Sequence, residues 1–107
     1  MPEAQRERFL TDVPLEARTP RTLTTREDIE QRLEHIRSVG YDVSDREVFA
    51  DLVAVAVPVL GRAGSALASI GVVAPAMTTR VDKLVDRFSD KLMVAAQRTG
   101  LALRHRD

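Results

Sequence analysis

Apolar positions recur along this chain with two different periods. Between Thr24 and Gly40, the residues Ile29, Leu33 and Ile36 stand at i, i+4 and i+7 among charged neighbours (Arg26, Glu30, Arg32, Glu34, Arg37). That is the pattern of a surface helix laying one narrow stripe against a sheet. Thr24 or Thr25 can cap its start, Glu27 and Asp28 suit the positive end of its dipole, and Gly40 can take the positive φ of a C-terminal cap. The strongest periodicity lies from Thr79 to Thr99, where Val81, Leu84, Val85, Phe88, Leu92, Ala95 and Ala96 hold the 3-and-4 spacing. Gly100 is the expected stop of that helix.

Between the two helical stretches the period changes. Leu52 to Leu60 is continuously apolar and rich in Val, the signature of a strand covered on both faces or buried at an interface. Pro58 has no N–H to donate, so its end of the strand belongs on an edge or at a bulge. Tyr41 to Val43 reads as a short strand before it. Gly61-Arg62-Ala63-Gly64 is a turn, and Ser65 to Val73 returns antiparallel. The returning strand is rich in small residues (Ala66, Ala68, Ser69, Gly71), which implies either close helix packing over it or space left for something else.

At the N-terminus, residues 2–10 predict a short helix with Pro2 in its first turn and Phe9 and Leu10 as its apolar end. Pro14 and Pro20 make 11–23 an irregular connector, and the tail Arg104-His105-Arg106-Asp107 is expected to fray. The order is α, loop, α, β, β, β, α. It describes one α/β domain of the α+β kind over 1–107: residues 1–23 as helix and connector, 24–103 as the core, and an antiparallel sheet with helices packed on it.

Composition then narrows the function. Sixteen basic and sixteen acidic residues cancel, which leaves no electrostatic footprint for nucleic acid. The aromatics (Phe9, Tyr41, Phe49, Phe88) are too sparse for a base-stacking platform. There is no Cys, which excludes disulfides and thiolate metal sites. The longest apolar run is about half of what a membrane span needs, and Met1 to Glu7 lacks the apolar core of a signal peptide. A cytoplasmic location is the expectation, with no membrane partner.

Chemistry is equally sparse. His35 borders the helical stripe and His105 lies in the tail, so they do not converge as metal ligands must. Asp42, Asp45 and Glu47 are loosely spaced for a cation and read as a solvated turn. Ser44, Ser65 and Ser69 lack a neighbouring base or a nucleophile elbow. Gly61-x-x-Gly64 is too short to cradle phosphate. The alternating charges Arg80, Asp82, Lys83, Asp86, Arg87 and Lys91 describe a solvated or oligomer-facing helix surface. No catalytic residue, metal site or cofactor is predicted, and the chain does not read as an enzyme.

Several segments, taken in order and spacing, resemble the effector-binding domain of IclR-type bacterial transcription regulators. They are Thr19-Pro20-Arg21-Thr22, Arg37-Ser38-Val39-Gly40-Tyr41, Asp51-Leu52-Val53-Ala54-Val55-Ala56-Val57-Pro58-Val59, Gly61 to Gly64, and Ser69-Ile70-Gly71-Val72-Val73-Ala74-Pro75. The resemblance runs from about Pro2 to Leu103. It implies a GAF-like fold of which this chain supplies only the second half. The family's winged helix-turn-helix and the first half of its effector domain have no counterpart here. The chain is then an excised fragment, a truncated gene product, or a half-domain that completes its sheet by self-association.

The resemblance also implies an effector pocket lined by Ser44, Leu52, Ala54, Gly71 and Val73. In members that bind small oxo-acids, Asp, Cys and two Ser make the polar contacts at the positions of Ser44, Ala54, Gly71 and Val73. Losing those donors shifts the expected effector toward an apolar or aromatic body, because a carboxylate stripped of water there would go uncompensated. The competing reading is that these small residues are core packing under the last helix. The expected function is effector sensing and oligomerisation, as a homodimer or homotetramer, with DNA contacted only by a domain outside this chain. The alternative is a ligand-free interaction domain or a remnant of such a regulator.

Overall fold

A computed structural model describes residues 3–12 and 15–104. Pro2, Pro14 and residues 105–107 of the tail lie outside the described residues, whereas Arg104 ends the last helix. Helix α1 (Glu3–Asp12) precedes helix α2 (Arg26–Val39), strands β1 (Asp42–Asp45), β2 (Leu52–Leu60) and β3 (Ala66–Pro75), and helix α3 (Val81–Arg104). The three strands form one antiparallel sheet in the order β1-β2-β3. The α+β class and the hairpin are as the sequence predicts, while β1 and β3 both extend further along the chain toward the C-terminus than expected.

Among the described residues, α3 covers one face of the sheet and leaves the other open. Val53, Val55, Val57 and Val59 are at most 2% exposed and, with Leu84, Leu92 and Ala96 of α3, make the core. The alternate residues Leu52, Ala54, Ala56 and Pro58 are only half-buried. The expectation of a strand covered on both faces is therefore corrected: the uninterrupted apolar run conceals a strict alternation. Small side chains on the uncovered face simply look apolar in the sequence.

Gly100 does not stop α3, which continues to Arg104. Its lack of a side chain serves packing: a Cβ built there would sit 2.8 Å from the Leu60 carbonyl oxygen. Beyond it, Arg104 Nη2 donates to the carbonyls of Leu60 (3.3 Å) and Gly61 (3.2 Å), and Arg62 donates to the Arg104 carbonyl at 2.8 Å. Helix end and hairpin turn are tied together.

Pro58 obeys both halves of its rule. The Arg46 N–H to Leu52 carbonyl bond (3.0 Å) and the ladder's alternation turn the even residues of β2 toward β1. β1 pairs only as far as Ala56, so at Pro58 no N–H is missed. A register shift follows directly, between Val59 and Leu60.

Helix α2 is capped as expected: Thr25 Oγ1 accepts from Asp28 N, and Gly40 (φ 87°) donates to the Ile36 carbonyl. None of its residues is buried. Its stripe faces α1 and β1 through open grooves rather than a closed core.

Candidate functional site

The residues expected to line a pocket come together on the uncovered face. Ser44, Ala54 and Val73 form one row across the three strands, through the pairs Ser44↔Ala54 and Ala54↔Val73. Leu52 lies two residues along β2, and Gly71 two residues along β3 opposite Ala56. Neighbouring strands stand about 4.8 Å apart, so the row is compact. Ser44, Leu52 and Ala54 are half-buried, whereas Gly71 is exposed and Val73 is 61% exposed. Core packing under the last helix does not account for them, because α3 covers the opposite face. Among these five, Ser44 carries the single hydroxyl, while Ser69 opposite Pro58 and Asp42 opposite Ala56 share the same face.

Ser44 also lines an open groove of about 350 Å³ between β1 and α2, shared with Ile29, Arg32, Leu33 and Ile36. Arg32 is the residue that spacing did not single out. Its guanidinium grips the turn that follows Ser44: Nη1 and Nη2 donate to the two Glu47 carboxylate oxygens, both at 3.1 Å. Nη1 also reaches the Val43 carbonyl (2.9 Å) and Asp42 Oδ1 (3.3 Å). Burial works against its charge, but Glu47 and Asp42 outweigh that and raise its pKa above the usual guanidinium value. The only signal for it in the sequence was one of three arginines beside the apolar stripe, which is ordinary for a surface helix.

The acidic trio Asp42, Asp45 and Glu47 is thus held by arginines and not free in solvent. Asp45 bonds Arg46 Nε at 2.9 Å and Arg21 Nη1 at 2.6 Å. The Arg46 hydrogen bond, together with Arg21, outweighs burial and holds its carboxyl below the usual carboxylate range. Thr19-Pro20-Arg21-Thr22 braces the same turn. The Thr19 hydroxyl donates to the Arg46 carbonyl at 2.5 Å, and the Thr22 hydroxyl donates to the Glu47 carbonyl. Thr22 Oγ1 in turn accepts from Thr19 N (2.9 Å) and Arg18 N (3.0 Å). This network secures Arg46 in the left-handed region (φ 60°), a conformation costly for a non-glycine residue. The motif positions β1, and with it Ser44, and its Thr22 lines the groove beside Ser44.

Among the described residues, no helix is long and apolar enough to cross a membrane.

Comparison with known proteins agrees with this architecture. The family described as bacterial transcriptional regulator IclR C-terminal matches residues 1–100. The probable transcriptional regulator SauR of Cupriavidus necator is 32% identical over 95 residues, which cover 89% of this chain and 38% of that protein. The crystal structure of a transcriptional regulator from Rhodococcus sp. RHA1 superposes with a TM-score of 0.91 at 25% identity, covering 98% of this chain and 43% of the other. The IclR structure of Thermotoga maritima gives 0.90 at 27% identity, over 97% and 42% respectively. The chain therefore spans less than half the length of each of these relatives. It belongs to the C-terminal domain family of IclR-type bacterial transcriptional regulators.

Proposed function

We propose that this chain is the effector-sensing and self-associating part of an IclR-type regulator, and that a small molecule is received on the open face. Ser44, Leu52, Ala54, Gly71 and Val73 are its contacts. The observation that carries this reading is their assembly on one uncovered surface, where Ser44 is the single hydroxyl among the five. Such a surface favours an apolar or aromatic body over a two- or three-carbon oxo-acid. Burying apolar ligand surface yields roughly 25 cal/mol per Å², whereas a desolvated carboxylate would find few donors. Arg32 already directs Nη1 and Nη2 to Glu47, Asp42 and the Val43 carbonyl. Effector binding would shift the packing of the regulator and so bias DNA binding by a segment outside this chain. In this reading the protein is cytoplasmic, takes no cofactor and performs no catalysis.

Calorimetry with a panel of aromatic acids and alcohols, run beside pyruvate and glyoxylate, tests it. Heats are expected only from the aromatic probes. Ala54→Phe should abolish them with the circular dichroism spectrum unchanged. Tight binding of either oxo-acid overturns the apolar preference, and undiminished aromatic binding by Ala54→Phe overturns the location.

A ligand-free interaction domain is the second reading, favoured by one observation: the face is open rather than an enclosed cavity. A panel that gives no heat with any probe would select it.

A further inference from the structure

Asp42 puts a charge on a face that β2 and β3 leave uncharged. The pairs Asp42↔Ala56 and Ala56↔Gly71 set it in the row next to Ser44, Ala54 and Val73, on the same side of the sheet. That placement is fixed by register within the three strands and holds whatever else lies over the face. Asp45, the other acid of β1, pairs with the core position Val53, so the pleat turns it to the α3 side. Its arginines, Arg21 and Arg46, follow it there.

Arg32 is bonded to Asp42 but shared. Its two terminal nitrogens meet Glu47 at 3.1 Å each, while Nη1 alone reaches Asp42 Oδ1, at 3.3 Å. One positive charge thus faces two carboxylates, and the bidentate geometry goes to Glu47. Oδ1 of Asp42 also accepts from the Val43 N–H at 2.8 Å, and among the described residues no donor bonds Oδ2. The Asp42 side chain is 44% exposed, against 16% for Glu47. The carboxylate with capacity to spare is the one that shares the effector face.

The floor beside it is flat. Ala54, Ala56 and Gly71 present nothing beyond Cβ, and Gly71 is held to that size. A Cβ there would stand 3.0 Å from the Val55 carbonyl oxygen and 3.3 Å from Ala56 Cβ. With strands about 4.8 Å apart, Asp42 and Gly71 are separated by roughly 10 Å across β2. An aromatic ring laid over Ala56 and Gly71 fits that span and leaves the length of a short arm to the carboxylate.

We propose that Asp42 sets the charge of the effector: an aromatic ring rests on the Ala56–Gly71 floor, and its short arm ends in a protonated amine bonded to Asp42 Oδ2. This assignment rests on the aromatic-effector reading above and adds the polar end of the molecule. An ammonium group brings three donors, and the Ser44 hydroxyl, two residues along β1, accepts a second one. A carboxylate in the same place meets Asp42 and Glu47 as like charges.

Three probes that share one body test it by calorimetry at neutral pH: 2-phenylethylamine, 2-phenylethanol and 3-phenylpropionate. The amine is expected to bind about tenfold more tightly than the alcohol, and the acid most weakly. The lead of the amine should shrink at high salt. Asp42→Asn keeps the shape and an acceptor for Val43 while removing the charge. It should bring the amine down to the affinity of the alcohol and leave the alcohol unchanged, which also shows that the variant is folded. An amine that leads by nothing, or whose lead survives Asp42→Asn, overturns the role of Asp42 while the alcohol still reports the apolar face. An equal loss for amine and alcohol marks Asp42 as structural and overturns it too. Amine binding that persists in Ala54→Phe lies off this face and does the same. No heat from any of the three overturns the effector reading itself, and this assignment with it.

Discussion

The two faces of one strand, β2, show how differently a sheet can use the same kind of residue. Toward α3, Val53, Val55, Val57 and Val59 are essentially sealed, and the helix approaches so closely that only a glycine fits at position 100. Toward the other side, Leu52, Ala54, Ala56 and Pro58 are half-open, and Val73 beside them on β3 is 61% exposed. The covered face supplies the stability. The open one carries mostly small or apolar side chains, with Ser44, Ser69 and Asp42 as its polar members across the three strands. On β2 itself neither face carries a charge, so hydropathy alone does not separate them.

That contrast can be broken most directly by cutting side chains on each face. Val55→Ala should cost about 2 kcal/mol, measured as a lowered urea midpoint at unchanged slope, since it empties a site that is 0% exposed. Val73→Thr should fall within about 0.5 kcal/mol of the parent protein. Equal losses would erase the distinction.

A sharper probe of the tight side is Gly100→Ala. In an exposed helix this exchange gains about 1 kcal/mol. Here a methyl would meet the Leu60 carbonyl oxygen at 2.8 Å, and overpacking of that kind costs about 1–3 kcal/mol. A net destabilisation near 1 kcal/mol is expected in thermal melts, and a gain would mean that α3 can slide.

The smallest effect concerns the polar brace that positions Ser44. The folded-state pKa of Asp45 is lowered by Arg46 and Arg21. Its stabilisation is therefore complete above the unfolded carboxylate pKa and fades as pH falls through the folded one. Melts across the acid range should show the parent protein converging on Asp45→Asn. Amide exchange should rise in residues 42–47 while the valine face stays protected. An acid response concentrated on the valine face would contradict this.

Much of the fold was legible in the residues. Helix α2 announced itself through the Thr25 cap, the Ile29–Leu33–Ile36 stripe and Gly40, because capping and amphipathic spacing act within a few residues of chain. The hairpin and its Pro58 followed from turn residues and a missing N–H, again local causes. The family resemblance was carried the same way, by short motifs in fixed order. Long-range packing decided the rest. Whether Ala54 and Gly71 sit beneath a helix or on an open face depends on which side α3 chooses, and both faces of β2 read as apolar. Gly100 looks like a stop signal until the Leu60 carbonyl is placed beside it. Arg32 and Thr19-Pro20-Arg21-Thr22 became the brace of the Ser44 strand only through partners more than ten residues away. The sequence determined which elements form, and the tertiary structure decided which surface they leave exposed, since hydrogen bonds and close contacts between distant segments leave no local periodicity to read.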